Sequence, residues 1–152
     1  MDIVFKEYEE KDFDDLKEMI VCLYDEDPEG EPITEAKIRK TVRESTAHPE
    51  KIRIVMICAD GINIGYGILV FYWSNEHGGN VVNIDELFIK KEYRNKKVAS
   101  TFIEHLKTVY ENTVALQLET MPSNIAAARL YKRLGFAVSP NCHMRLRLHS
   151  KP

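Results

Sequence analysis

A strand, a helix and a second strand follow one another directly in the second half of the chain, and this order constrains the fold most. Val81–Ile89 is rich in branched apolar residues typical of a strand, and residues 99–110 carry apolar side chains at helical spacing. Val114, Leu116 and Leu118 then alternate with less apolar residues, which predicts another strand. Because a helix joins them, the two strands are expected to pair in parallel.

The first half of the chain predicts antiparallel strands with two helices inserted between the first and the second. The predicted strands are Ile3–Tyr8, Lys51–Ala59 and Ile62–Trp73. Asp60-Gly61 is a strong hairpin signal, and the later glycines, Gly65 and Gly67, predict a bulge in the third strand. The sheet is therefore expected to be mixed.

The last part of the chain predicts one more helix and one more strand. Residues 123–134 have helical spacing, and Gly135 followed by Phe136 suits a left-handed helix end. Alternation over Cys142–Leu148 predicts a closing strand. With no repeat or linker, the order predicts one α/β domain over residues 1–152, a mixed central sheet with helices on both faces.

Composition excludes several classes of protein. The sequence has 152 residues, 24 acids against 21 bases and a net charge of -3, which disfavours a nucleic-acid partner bound by a broad basic face. No apolar run approaches the roughly 18 residues of a spanning helix, so no membrane association is expected. The N-terminus lacks the pattern of a signal peptide.

Three cysteines bear on disulfides, metals and location. Cys22, Cys58 and Cys142 lie far apart in the sequence and form no Cys-x-x-Cys pair. An odd number without a matching histidine cluster argues against a disulfide scaffold and against a metal site. The expected location is the reducing cytoplasm.

One acidic stretch stands out on a nearly neutral chain. Residues 25–31 hold five acids and no base, interrupted by Pro28 and Gly30. Clustered carboxylates attract cations and raise encounter rates, but a solvated loop that aids solubility is an equally good interpretation.

A turn between the strand at Val81–Ile89 and the next helix is a candidate anion site. It carries three bases, Arg94, Lys96 and Lys97. A helix start presents free N–H groups and the positive end of the helix dipole, which suit a phosphate. By itself this pattern is also that of an ordinary helix start.

Two segments together resemble the GNAT acetyltransferase family. Ile84–Ile89, followed by Lys91-Glu92-Tyr93-Arg94, is similar to the family's acetyl-CoA segment. Asn124–Phe136, with its small residues and Leu-Tyr-x-Arg-x-Gly-Phe ending, is similar to its second signature. The order of elements also matches over nearly the whole chain, so the resemblance implies a sheet with two splayed strands.

One part of the turn departs from the family pattern. Arg94 and Ala99 fit it, but Asn95 and Lys97 stand where glycine is usual. Glycine allows the backbone to approach a pyrophosphate and to adopt unusual dihedrals. Asn tolerates such dihedrals better than Lys does, and the Lys97 ammonium is free to turn toward the phosphates instead.

The resemblance implies where acetyl-CoA binds, with CoA as the product. Its pantetheine is expected beside the strand that ends the first segment, and its pyrophosphate at the turn that follows. Asn124 and Ala127 of the second signature complete the set. The implied cofactor residues are Leu87, Phe88, Ile89, Arg94, Asn95, Lys96, Lys97, Val98, Ala99, Ser100, Asn124, Ala127 and Tyr131.

Amine acetylation implies catalytic residues of two kinds. A carboxylate takes a proton from the attacking ammonium, and Asp85 and Glu86 are the candidates because they lie on the cofactor strand. Since successive side chains alternate in direction, one acid is expected to reach the amine. The resemblance implies a slight preference for Asp85, which corresponds by position to the acid of the polyamine acetyltransferases. Tyr131 matches the family's tyrosine, which donates its phenolic proton to the leaving sulfur.

The acceptor implied by the family and the acidic stretch is a small cationic amine, such as a polyamine or an aminoglycoside-like amine. The expected acceptor residues are Tyr24, Asp25, Glu26, Asp27 and Asp85. Acetylation of a protein or peptide, and a regulatory CoA-binding domain without activity, are the alternatives. A Rossmann-type dinucleotide binder is disfavoured, because no G-x-G-x-x-G follows a strand. A homodimer is left open, with the last strand as a candidate contact.

Overall fold

The computed structural model describes residues 1–27 and 30–149, and within them a five-stranded sheet is flanked by four helices. The strands are Ile3–Glu7 (β1), Ile52–Ala59 (β2), Ile62–Ser74 (β3), Gly79–Ile89 (β4) and Ala115–Leu118 (β5). The helices are Phe13–Glu26 (α1), Glu35–Ala47 (α2), Val98–Val109 (α3) and Ile125–Arg133 (α4). Pro28 and Glu29 of the acidic stretch, and residues 150–152, lie outside the described residues. No helix in the described part of the chain is long and apolar enough to cross a membrane.

The sheet is mixed, as the sequence predicts. Its order is β1-β2-β3-β4-β5, with antiparallel pairs up to β4 and a parallel pair between β4 and β5. The predicted hairpin is present between β2 and β3, where Asp60 and Gly61 have φ angles of 51° and 80°. Two successive positive φ angles are those of the hairpin turn whose twist matches the strands.

The two parallel strands stay together over only four residues each. Val81–Ile84 of β4 pairs with Ala115–Leu118, and β5 ends there. From Asp85 to Ile89, β4 is paired with β3 on one side, and no described strand pairs with it on the other. This divergence is the splay that the family resemblance implies.

Each face of the sheet has its own apolar core. On one face, side chains of β2, β3 and β4 pack against α1 and α2; Phe13, Leu16 and Tyr66 belong to this cluster. On the other face, Phe102 and Leu106 of α3 lie among side chains of the same three strands. Alternate residues of each strand therefore face different helices, which places helices on both faces as predicted.

A bulge in β4 interrupts this alternation at the edge of the splay. Ile68 of β3 lies opposite Glu86, whereas Leu69 lies opposite Ile84, so Asp85 has no counterpart. An extra residue changes the face on which all later side chains lie. A second shift, between Ile57 and Cys58, occurs opposite Gly65 and confirms the bulge predicted in β3.

The predicted strand at Cys142–Leu148 is wrong. The segment has no regular structure, and Met144, Leu146 and Leu148 are 88%, 84% and 79% exposed. Alternation of apolar residues indicates a strand but does not supply its partner, and none of the described strands pairs with this segment. Two of its side chains contact acids instead: His143 lies 3.4 Å from Glu119, and Arg147 forms an ion pair with Glu31.

Gly67 is required where β3 passes under α3. A Cβ built on Gly67 lies 2.7 Å from the ring of Phe102, which is fully buried. We expect Gly67→Ala to lower the free energy of unfolding by about 1–3 kcal/mol, because the ring cannot move without displacing its neighbours. Thermal unfolding followed by circular dichroism measures this loss. Gly30→Ala is the control, since its Cβ meets nothing within 4 Å. Equal melting temperatures for the two variants would contradict the expectation.

Candidate functional site

A cleft of about 710 Å³ lies where β4 and β5 separate. Its walls come from the end of α1, the second half of β4, the chain after β5 and the start of α4. The lining residues that the later argument uses are Tyr24, Glu26, Asp27, Asp85, Glu86, Arg94, Glu119, Asn124, Ala127 and Tyr131. The others are Leu23, Gly30, Ile84, Leu87, Leu118, Thr120, Met121 and Ser123. The cleft therefore brings together all three predicted catalytic residues and four of the five predicted acceptor residues.

Glu86 is held in this cleft by two tyrosines. The Tyr66 hydroxyl donates to Glu86 Oε1 at 2.7 Å, and the Tyr24 hydroxyl donates to Oε2 at 2.8 Å. Burial raises the pKa of the Glu86 carboxyl, while the two phenol hydrogen bonds act in the opposite direction. The phenol pKa values of Tyr24 and Tyr66 are both raised, chiefly by burial and then by the Glu86 charge.

Asp85 lines the same cleft with its carboxylate exposed. Among the described residues, no hydrogen bond or ion pair holds this carboxylate. Its pKa is raised by desolvation and then by the Glu119 charge, and the Arg145 charge acts against this rise. Both adjacent acids line the cleft, because the bulge at Asp85 interrupts the alternation of side chains. That only one of them reaches the amine stays a prediction.

Tyr131 lies on the α4 wall of the cleft, half-buried against Phe136, with ring centroids 5.6 Å apart. Burial raises the pKa of its phenol, so its proton is retained at neutral pH. Asn124 caps α4, since its Oδ1 accepts from the Ala127 N–H at 3.1 Å. Gly135 has a φ of 97° and ends the helix, as predicted.

The turn before α3 has the backbone that explains why glycine suits it. Asn95 and Lys97 have φ angles of 59° and 62°, in the left-handed region. Lys97 is the N-cap of α3 and provides no side-chain cap, so the first N–H groups of the helix keep no side-chain partner. Lys96 lies with its ammonium 5.6 Å from the centre of the Tyr93 ring.

Arg94 connects this turn to the end of α1. Its Nε donates to the Ile89 carbonyl at 2.8 Å, and its Nη2 contacts Glu26 Oε1 at 2.8 Å. The guanidinium carbon also lies 5.4 Å from the centre of the Phe88 ring. One acid of the predicted acceptor site is therefore paired with a base of the predicted cofactor turn.

The remaining predicted cofactor residues differ in whether their side chains or only their backbone groups are accessible to a ligand. Phe88, Ile89 and Val98 are buried in the two cores, so only their backbone is available to a ligand. Leu87, Ala99 and Ser100 are half-buried, and Leu87 lines the cleft. The unpaired edge of β4 supplies the backbone groups that the resemblance assigns to the pantetheine.

The acidic stretch is divided between the cleft and the surface. Glu26 and Asp27 line the cleft, whereas Asp25, near the end of α1, does not. Glu31 is paired with Arg147, so the stretch is less free to attract cations than its composition indicates. Tyr24 offers its ring to the cleft while its hydroxyl is bound to Glu86.

Sequence reasoning misses two residues of the site. Glu119 follows β5 directly, lines the cleft and lies 3.4 Å from His143 Nδ1. Its position just past a strand that diverges from its neighbour is the feature that indicates it. Tyr66 is the second residue, and its hydrogen bond to Glu86 depends on the register of β3 against β4, which composition does not give.

Comparison with known proteins agrees with this architecture. The family model described as "Acetyltransferase (GNAT) family" matches residues 8–136. The chain belongs to the acetyltransferase (GNAT) family. Members of this family use acetyl-CoA. No match to the sequence is found among curated proteins.

Solved structures share the fold over nearly the full length of the chain. A possible acetyltransferase from Clostridium difficile 630 is 22% identical with a TM-score of 0.81, covering 97% of this chain and 99% of that one. AAC(6')-Iy in complex with the bisubstrate analog CoA-S-monomethyl-acetylneamine is 16% identical with a TM-score of 0.77, at coverages of 97% and 99%. The ribosomal-protein-alanine N-acetyltransferase from Brucella melitensis biovar Abortus 2308 is 13% identical with a TM-score of 0.77. The match covers 97% of this chain and 100% of that one. At these identities the likeness shows the fold.

The residues present fit a CoA thioester. An uncapped helix start follows two left-handed residues, which leaves N–H groups for a pyrophosphate. The unpaired edge of β4 beyond Ile84 leaves backbone groups for an amide-containing arm.

Because Lys97 has a left-handed backbone, we expect substitution by glycine to be less destabilising there than substitution by alanine. We expect Lys97→Gly to be more stable than Lys97→Ala by about 1 kcal/mol, because a residue with a side chain is strained by that amount at positive φ. Urea unfolding of the two variants measures the difference. The control is the neighbouring Lys96, which has no positive φ. We expect Lys96→Gly to be no more stable than Lys96→Ala. An equal gain in stability from glycine at position 96 would contradict the explanation.

Proposed function

We propose that this GNAT protein transfers the acetyl group of acetyl-CoA to a primary amine of a small cationic molecule. The observation that carries the proposal is the cleft itself, in which Asp85 and Glu86 share one space with Tyr131 beside the unpaired edge of β4. An acid–base pair next to a thioester-binding edge is what amine acetylation requires.

Acetyl-CoA, when bound, supplies the acetyl group as a thioester. The unpaired backbone of β4 would hold its pantetheine, and the N–H groups of the turn before α3 would hold its pyrophosphate. Leu87, Asn124 and Ala127 also line the cleft.

Asp85 Oδ1 or Oδ2 takes the proton from the acceptor's ammonium group. An alkyl ammonium with pKa near 10.4 costs roughly 4.6 kcal/mol to deprotonate at pH 7. The raised pKa of Asp85 brings its proton affinity closer to that of the amine, since burial and the Glu119 charge both favour the protonated carboxyl. Its carboxylate is exposed to the cleft, so an amine or a bridging water has access to it.

Tyr131 holds the second proton. Its phenol is neutral at pH 7 and lines the cleft from the α4 side. It is placed to protonate the departing sulfur, which is itself fairly basic.

The charge of the cleft supports a cationic acceptor. In the described part of the chain, five carboxylates line it, against a single base, Arg94, which is paired with Glu26. The remaining four, Asp27, Asp85, Glu86 and Glu119, have no lysine or arginine within ion-pair distance among the described residues. A field of one sign in a concave site attracts cations and repels anionic substrates.

Acetyl-CoA binding is expected to raise the melting temperature of the protein. At 100 times its dissociation constant, a ligand selective for the folded state adds about 2.7 kcal/mol. For a domain of this size that corresponds to a shift of about 5–10 °C. Differential scanning fluorimetry with acetyl-CoA and CoA measures the shift. No shift with either ligand would remove the cofactor assignment.

Turnover of a mixed panel of amines, basic peptides and neutral amines tests the function as a whole. Acetylated products are detected by mass spectrometry, and cationic small amines are expected to react fastest. Preferential acetylation of a peptide would favour the protein substrate instead. CoA binding without turnover of any panel member would support a regulatory domain.

Tyr131→Phe is expected to lower kcat about 100- to 10,000-fold while leaving acetyl-CoA affinity nearly intact, because it removes only the proton donor. Steady-state kinetics and calorimetric titration separate the two effects. Tyr110→Phe is the matched control, since Tyr110 is half-buried in the same core but does not line the cleft. An unchanged kcat in Tyr131→Phe would remove this residue from the mechanism.

A further inference from the structure

The Tyr24–Glu86–Tyr66 arrangement gives the two adjacent acids different chemistry. Each oxygen of Glu86 already accepts one short phenol hydrogen bond, from α1 on one side and β3 on the other. Hydrogen bonds to a carboxylate favour its charged form, and at Glu86 they oppose the rise in pKa that burial causes. Asp85 receives no such bonds among the described residues and is exposed to the cleft.

Glu86 nevertheless retains the capacity to bind a cation. A carboxylate has about four acceptor positions, so two remain after both phenols are bound. Glu86 lines the cleft, and an ammonium group has three donors to offer. Because Tyr66 is fully buried and Tyr24 lies on a helix, the carboxylate is fixed in place rather than free to follow a ligand.

We propose that Glu86 is a specificity-determining residue that binds a second ammonium group of the acceptor, close to the nitrogen that is acetylated. Tyr24 and Tyr66 are the positioning residues that hold it. Asp85, on the bulge next to it, takes the proton from the reacting nitrogen. The preferred acceptors are then amines with two cationic groups separated by a short chain. This inference rests on the proposed function and names its substrate class.

The charged groups around the pair agree with this division. Glu86 faces Tyr66 from β3, Tyr24 from α1 and Asp85 from its own strand. Asp85 faces Glu119 from the chain after β5 and Arg145 from the C-terminal segment. Two ammonium groups meet two carboxylates side by side, whereas a monoamine leaves one carboxylate without its counter-ion.

The test compares 1,3-diaminopropane with propylamine, two amines of equal chain length that differ in one charge. kcat and KM are measured for both at saturating acetyl-CoA. We expect the parent protein to prefer the diamine at least tenfold in kcat/KM, as a hydrogen bond between charged groups is typically worth that much. Glu86→Gln keeps the shape and removes the charge; it is expected to reduce the preference below threefold by raising KM for the diamine alone.

The positioning residues are tested by the same ratio. Tyr24→Phe and Tyr66→Phe are expected to lower the preference for the diamine several-fold, because the carboxylate loses a donor that fixes it. A merely structural role would lower stability without changing the ratio. Tyr8→Phe is the matched control, since Tyr8 donates to Glu10 at 3.3 Å outside the cleft. It is expected to keep the preference of the parent.

Three results would overturn the proposal. One is a parent that turns over both amines with no preference, and another is a Glu86→Gln variant that keeps the preference. The third is a Glu86→Gln variant that loses kcat for both amines about 100-fold, because Glu86 would then be the base.

A binding measurement separates this proposal from the proposed function. Calorimetric titration of 1,3-diaminopropane into the CoA-loaded protein needs no turnover. If the parent acetylates no member of the amine panel, the proposed function fails, and a tenfold weaker affinity in Glu86→Gln still supports a diamine site. Absent binding, or equal binding by parent and variant, overturns it.

Discussion

The site depends on the short length of the parallel pair between β4 and β5. After Ile84 and Leu118 the two strands have no further backbone contact, so polar backbone groups of β4 are left at the bottom of a cleft. Such groups are costly to leave without partners in a protein interior, and here they remain available to a ligand. The chain after β5 turns away and becomes the far wall, which ends at Tyr131. A longer β5 would pair with these groups and close the cleft.

Acids line the cleft, whereas most bases of the cofactor turn lie beside it. Asp85, Glu86 and Glu119 lie where the strands begin to separate. Lys96 and Lys97 lie outside the cleft lining, in the turn before α3, and Arg94 is the base of that turn that reaches the cleft. An anionic pyrophosphate would be attracted to the bases of the turn, and a cationic acceptor would be attracted to the acids of the cleft. Arg94 and Glu26 join the two regions through the ion pair at 2.8 Å, which fixes the end of α1 against the turn.

Much of this fold could be predicted from local patterns. The hairpin at Asp60-Gly61, the left-handed end at Gly135 and the parallel pair follow from residue types that leave the backbone few alternatives. The strand at Cys142–Leu148 could not be predicted correctly, because alternation describes a strand without naming its partner. In the site, the family motif locates Tyr131 and the two acids. The roles of Tyr24 and Tyr66 depend on a helix and a strand meeting at Glu86, which no spacing in the sequence specifies.

The bulge at Asp85 also leaves a pattern that can be followed in related sequences. Before it, the side chains that pack against α3 have even numbers, as in Val82 and Ile84; after it they have odd numbers, as in Leu87 and Ile89. A relative that lacks the extra residue would keep a single parity along the whole strand, and its neighbouring acids would face opposite sides of the sheet. One inserted residue is therefore enough to convert a strand with a single acid at the cleft into one with two. A change of parity among the apolar positions of this strand marks the chains in which two neighbouring acids reach one ligand.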